Sequence, residues 1–293
     1  MQIWRFAAPR RDRTTGDNLN TTDTTISEAL VEDFQRDGCA VIRGLFAPWI
    51  EGLREGVEEN MANPSFRERT YHPEDGTAAF FQDFCNWDKI DGYRALVRSS
   101  PMAEIAARLM GSRTARIFHD HVLVKEPGNS IATPWHQDQP YYLVEGAQSV
   151  SFWVPLDPVS RDRTIEFAAG SHVRGKTYRA QRFDGTSLYE GDTTEAVPDI
   201  EGTRQGRDIR GWAVEPGDAV VFNFRCLHGA PANASKTRRR VISVRWVGDD
   251  ARFKVRPNRM SSPPFPDLDY EDDAPFDAPE FPVLYENRSV QAD

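Results

Sequence analysis

A chain of 293 residues with 39% hydrophobic and 28% charged side chains can bury a sizeable core, which excludes a disulfide-stapled miniprotein and a disordered or collagenous segment. Lys and Arg number 36 against 45 Asp and Glu, and a net charge of −9 repels a phosphate backbone, so no nucleic-acid partner is expected. Cys39, Cys85 and Cys226 are widely spaced without a C-x-x-C pair, and no leader-like or membrane-length apolar run occurs; the expectation is a cytoplasmic protein with no structural zinc and no membrane association. Residues 1–24 are polar and aperiodic and read as a loose arm. From Thr25 the pattern turns helical: Thr25 and Glu28 make a capping box, Ile26, Leu30 and Phe34 share one face, and Gly38 closes the helix.

A short strand, Cys39–Ile42, follows. Pro48 opens a second helix striped by Ile50, Leu53, Val57 and Met61, and Ser100-Pro101 opens a third that runs through Ile105 and Leu109 to Gly111. Between them Tyr71, Phe80, Phe81, Phe84, Trp87 and Tyr93 make an unusually aromatic connector, either a hydrophobic cluster under a long loop or a lid over a substrate. After Gly111 the period drops from 3.6 to 2, with strand-like runs over 115–125, 149–156, 164–167, 212–214, 219–224 and 241–247, separated by Gly, Pro and Asp turns. No repeat or composition break divides them. The expected fold is α+β with a mainly β core, a double-stranded β-helix (jelly roll, cupin-like) over 112–250 beneath a mainly helical cover over 25–111, in one domain spanning 1–293. The acidic, Pro-rich tail over 251–293 is expected to wrap the surface, tethered by Phe265, Phe276, Phe281 and Leu284.

With six histidines, at 72, 119, 121, 136, 172 and 228, a metal site can be searched exhaustively. In T-P-W-H-Q-D-Q-P-Y-Y, His136 and Asp138 stand two residues apart, which in extended chain puts imidazole and carboxylate on one face. Ninety-two residues later His228 follows the apolar run P-G-D-A-V-V-F, where a neighbouring strand can carry it beside that pair. Two imidazoles and one carboxylate on one side of a metal form the facial triad of non-haem Fe(II) oxygenases and leave three positions open. The competing reading is three unrelated polar residues at strand ends. Arg239, eleven positions beyond His228, weighs against it. On that strand Ile242, Val244 and Trp246 share an outward face beneath the helices, so Arg239, Val241, Ser243 and Arg245 face inward, where a guanidinium needs an anion. Arg245 lies about 20 Å further along the strand, too far to hold the same short diacid, and reads as a charge behind the ligands or on the opposite rim. His119-x-His121 could itself be half of a cupin-type metal site, but lining of the pocket is the favoured reading. His172 reads as a turn contact, His72 as a surface or lid residue, and Cys226 as a small buried thiol.

H-x-D, a distal His and an Arg eleven residues on stand in one order with G-C-A-V-I-R-G-L-F, V-K-E-P-G, S-F-W-V-P-L-D-P and A-A-G-S-H. With these motifs the stretch from about Glu28 to Trp246 resembles the phytanoyl-CoA dioxygenase family of Fe(II)/2-oxoglutarate-dependent oxygenases. The resemblance implies iron held by His136, Asp138 and His228, with 2-oxoglutarate and dioxygen as cosubstrates and Arg239 on the distal carboxylate of 2-oxoglutarate. Trp153 and His121 resemble positions that line the cosubstrate pocket. Tyr141 and Tyr142, which adjoin the H-x-D, and Phe81 are candidates for contact with the substrate. The implied activity is hydroxylation of an unactivated C–H bond of a small organic molecule, with release of succinate and carbon dioxide. Asp138 argues against halogenation, for which relatives have a small residue at that position. The alternative is a cupin-like metal-binding isomerase, lyase or binding module without oxygenase activity.

Overall fold

The computed structural model describes residues 26–73, 76–182 and 185–288; the arm over 1–24 and Thr25 of the expected capping box lie outside the described residues. Helix α1 (Glu28–Asp37) is capped instead by Ser27, whose hydroxyl accepts the Leu30 N–H at 3.2 Å. It ends at Gly38, in the left-handed region at φ 75°, where a side chain would also run into the His172 ring. Strand β1 (Cys39–Ile42) follows, and a single turn containing Pro48 leads into α2 (Ile50–Ala62). The aromatic connector holds two elements absent from the sequence reading, β2 (Phe80–Phe84) and α3 (Asp91–Ser99), before α4 (Met102–Met110).

The remaining strands are β3 (Thr114–Lys125), β4 (Thr133–His136), β5 (Val144–Glu145), β6 (Ser149–Pro155), β7 (Glu166–Ala168), β8 (Ile209–Arg210), β9 (Ala219–Phe222), β10 (His228–Ala230), β11 (Arg239–Val247), β12 (Arg252–Phe253) and β13 (Val283–Glu286). The larger sheet runs β1-β9-β6-β11-β3. The far edge of β3 is shared, with β2 pairing its residues 121–125 and β13 its residues 114–116. The smaller sheet runs β4-β10-β7-β8, and the two form the jelly roll. The expected strand over 212–214 is not one, since Val214 makes only an isolated bridge to Val159.

Alternation along β11 positions everything else. Ile242, Val244 and Trp246 pack under the helices with Leu53, Leu96 and Leu109 in the main core. On the opposite face Val241 joins a second core between the sheets, with Val220, Phe222 and Phe167. The tail closes one end: Phe276 and Phe281 cluster with Phe118, Phe224 and Phe253, Phe265 packs against that cluster, and Leu284 reaches the main core. Among the described residues, no helix is long and apolar enough to cross a membrane.

Candidate active site

Antiparallel pairing sets His228 of β10 directly opposite His136 of β4, and their ring centroids lie 4.2 Å apart. Asp138 is held by its own backbone, whose N–H donates to the Phe224 carbonyl at 2.8 Å, so its carboxylate turns back toward the two rings. Its Oδ1 stands 3.5 Å from His136 Nε2 and 3.7 Å from His228 Nε2. Among the described residues, these three are the group of His, Cys, Asp and Glu donors that converge on one point, all within 4.8 Å.

The tautomers follow from the backbone. His136 Nδ1 lies 2.8 Å from the Pro134 carbonyl and His228 Nδ1 lies 2.9 Å from the Cys226 carbonyl. A carbonyl only accepts, so both Nδ1 atoms carry a proton and both rings present Nε2 toward Asp138. Burial, with His136 alongside, lowers the pKa of His228 to about 3, which keeps the ring neutral and able to donate to a metal. Burial would raise Asp138, but the Arg245 guanidinium, with His136 beside it, outweighs that and holds the carboxyl well below the usual carboxylate range. Its Oδ2 is steadied by Arg245 Nε and Ser151 Oγ, each at 3.4 Å. Two imidazoles and a carboxylate on one side of a point are a donor set that fits a divalent transition metal with open positions.

These groups open into a cavity of about 780 Å³. Cross-strand register carries the inward face of β11 onto its neighbours: Ser243 lies between His121 of β3 and Trp153 of β6, and Arg239 lies opposite Lys125. All five line the cavity. His121 stacks on Phe84 at 4.0 Å and meets Gln82 Oε1 at 3.0 Å. Arg239 is 7% exposed and donates only to backbone carbonyls, those of Arg163 at 2.6 Å and Pro231 at 3.4 Å; burial, with Arg163 nearby, lowers its pKa to about 10. Lys125, bound to the Ile131 carbonyl, is pushed well below its usual range by burial and by Arg239. Arg240 points the other way, into Asp157 and Glu58, and Arg238 meets Glu126 and Glu58.

Tyr141 and Tyr142 line the cavity, the Tyr141 hydroxyl donating to the Gln181 carbonyl at 2.7 Å. Phe81 does not line it. On β2, Phe80, Gln82 and Phe84 face the cavity, while Phe81 faces the helical core with Trp87 and Tyr93, which corrects its expected place beside the substrate. The aromatic connector is thus half cavity wall and half core, and within β2 strand parity makes the division. His119 is fully buried edge-on to Phe118 and holds no cavity position, His172 bonds the Gln35 carbonyl at 3.1 Å, His72 is exposed, and Cys226 is buried. Sequence alone does not single out Lys125, Gln82 or Ser151, whose only signal is their register opposite β11 and β3.

A jelly roll with two histidines and one carboxylate converging at its open end defines a class of non-haem metalloproteins. Within that class, residues 34–241 match the phytanoyl-CoA dioxygenase (PhyH) family, and the chain belongs to it. Dioxygenase lolE1 of Epichloe uncinata is 25% identical over 186 residues, which span 60% of this chain and 66% of lolE1. Among solved structures, the non-heme alpha ketoglutarate-dependent carbocyclase SnoK from nogalamycin biosynthesis superposes with a TM-score of 0.69 at 22% identity, over 90% of this chain and 99% of SnoK. The epimerase SnoN, solved with Fe3+, alpha ketoglutarate and nogalamycin RO, gives a TM-score of 0.69 at 22% identity, over 88% of this chain and 98% of SnoN.

Proposed function

We propose that this protein is an Fe(II)- and 2-oxoglutarate-dependent dioxygenase that hydroxylates an unactivated C–H bond of a small organic molecule. The observation that carries the reading is one cavity holding both the convergent His136, Asp138 and His228 and a buried guanidinium, Arg239, that has no carboxylate partner among the described residues. Burying an unpaired charge costs several kcal/mol in round terms, about what an arriving carboxylate would offset.

In this reading His136, His228 and Asp138 would hold the iron. Bound there, iron supplies the activation of dioxygen that couples oxidative decarboxylation of 2-oxoglutarate, to succinate and carbon dioxide, with insertion of one oxygen atom into a C–H bond. Arg239, with Lys125 across the strand pair, receives the far carboxylate in a charge-assisted pair, while Trp153, His121 and Ser243 wall the cosubstrate. Arg245 and Ser151 keep Asp138 ionised and aimed. The aromatic walls, Tyr141 and Tyr142 among them, hold the target carbon in place and exclude water. Helices, jelly roll and tail act as one oxygenase domain. SnoK and SnoN are described as a carbocyclase and an epimerase, and such outcomes would use the same residues here with a different substrate pose. A cupin-like isomerase or binding module leaves Arg239 without an anion to meet.

The test is aerobic incubation with Fe(II) and 2-oxoglutarate, following succinate and dioxygen. The expected result is slow, one-to-one formation of succinate and consumption of dioxygen that disappears in Asp138→Ala; succinate no higher than in that variant would contradict the reading.

A further inference from the structure

The cavity of this acidic protein is basic. Seven lysine and arginine side chains line it against one carboxylate, Asp138, in a chain of net charge −9. The cations fall into two sets. Lys125, Arg239 and Arg245 are the inner set, 2%, 7% and 6% exposed. They suffice for a cosubstrate that brings one far carboxylate and for steadying Asp138. Arg67, Arg69, Arg179 and Arg182 form an outer set, half-buried or exposed, that these roles do not use.

Local structure shows which of the outer set are available. Arg182 is spent on the carbonyls of Ser187 and Leu188. Residues 69 and 71 pair with Gln82 and Phe80 as an extra edge beside β2, so Arg67, Arg69 and Tyr71 share a parity and all three line the cavity. Arg67 also donates to the Pro264 carbonyl at 2.9 Å and lies over Phe265. On a second wall Arg179 has no side-chain hydrogen bond or ion pair among the described residues, and its Nε is buried without an acceptor. Segment 260–264 joins the two walls, since Pro264 accepts from Arg67 while the Ser262 N–H donates to the Tyr141 carbonyl. Tyr71, Phe80 and Trp135 add aromatic surface to the same lining.

We infer that the substrate is an amphipathic anion, with an apolar or aromatic body on these rings and an acidic group, carboxylate or phosphate-like, held by Arg179 with Arg69 and Arg67. This rests on the oxygenase reading for the identity of the inner ligand. An orphan guanidinium at the mouth of a low-dielectric cavity gains a charge-assisted pair only from an anion, and the surrounding basic walls steer anions inward.

The experiment is anaerobic calorimetric titration of the protein saturated with Fe(II) and 2-oxoglutarate. The probes are phenylacetate, 3-phenylpropionate and 2-naphthylacetate, each with its phosphonate analogue and its neutral primary amide. At least one acid should outbind its amide by about tenfold or more, and the better of carboxylate and phosphonate identifies the group. Arg179→Met should shrink that preference to within about twofold, Arg69→Met should reduce it, and Arg179→Lys should restore most of it. No acid outbinding its amide would overturn the inference. So would a preference that survives Arg179→Met, or one lost only in Arg239→Leu, which would place the acid at the cosubstrate end. The visible band of the Fe(II)–2-oxoglutarate complex is recorded in the same samples. A missing band with the acid preference intact sinks the oxygenase reading and leaves the anion site standing.

Discussion

His136 and His228 use the same device: each ring donates from Nδ1 to a carbonyl two residues earlier in the chain, so local backbone rather than distant packing selects the tautomer that presents Nε2. The arginine run shows how parity gives neighbouring identical residues different work. Arg240 is anchored by Asp157 and Glu58 on the outside, whereas Arg239 meets only carbonyls inside. Arg239→Leu should therefore weaken 2-oxoglutarate binding by about 2–5 kcal/mol, because the buried carboxylate loses its partner, while Arg240→Ala should change it little. Equilibrium titration of both variants checks this, and a loss confined to Arg240→Ala would mean that the register of β11 is wrong. Asp120 gives a stability prediction. Its Oδ1 accepts the Asn86 and Trp87 N–H groups, but burial raises its pKa to about 7 and its Oδ2 has no partner. A carboxyl raised in the folded state contributes stability at low pH that is lost as pH rises from about 4 to about 7. Asp120→Asn keeps the acceptor and removes the titration. Relative to that variant, the wild type should lose on the order of 2 kcal/mol in urea unfolding between about pH 4.5 and 7.5; parallel pH profiles would refute it.

At the scale of elements, β2 separates stability from binding within five residues. Phe81 faces the helical core and Phe84 stacks on His121 in the cavity. Phe81→Ala should cost about 3–5 kcal/mol in denaturant unfolding with 2-oxoglutarate affinity kept. Phe84→Ala should weaken 2-oxoglutarate binding by freeing His121, and the reverse pattern would overturn the assignment of faces. The same strand shows why it escaped sequence reading: F-F-Q-D-F is buried at every position, so it carries no apolar–polar alternation. Helix α3 lacks a side-chain cap at its start, and β8 and β10, at two and three residues, are too short to show a period. By contrast, β11 runs nine residues with one face under the helices, and its alternation was enough to place Arg239, Val241, Ser243 and Arg245 on the cavity side. The H-x-D and the distal His were legible as spacing. Lys125 and Ser151 were not, because cross-strand register between segments far apart in sequence places them.

Across the whole molecule, the chain concentrates positive charge in the cavity of an acidic protein and closes one end with its tail. Phe276 and Phe281 seat the tail against Phe118, and β13 completes the edge of β3 that β2 leaves unpaired. Helices on one face of the large sheet and the small sheet on the other leave the cavity between the sheets, with His136 and His228 on the small-sheet side and Lys125 and Arg239 on the large-sheet side. In the proposed function these two sets serve one ligand pair, iron with 2-oxoglutarate. Anaerobic addition of 2-oxoglutarate to the Fe(II)-loaded protein, followed by visible absorption, tests it most directly. We expect a weak charge-transfer band that saturates with 2-oxoglutarate, is absent in Asp138→Ala and needs far more 2-oxoglutarate in Arg239→Leu. A spectrum that 2-oxoglutarate leaves unchanged, in a protein that still binds Fe(II), would contradict it.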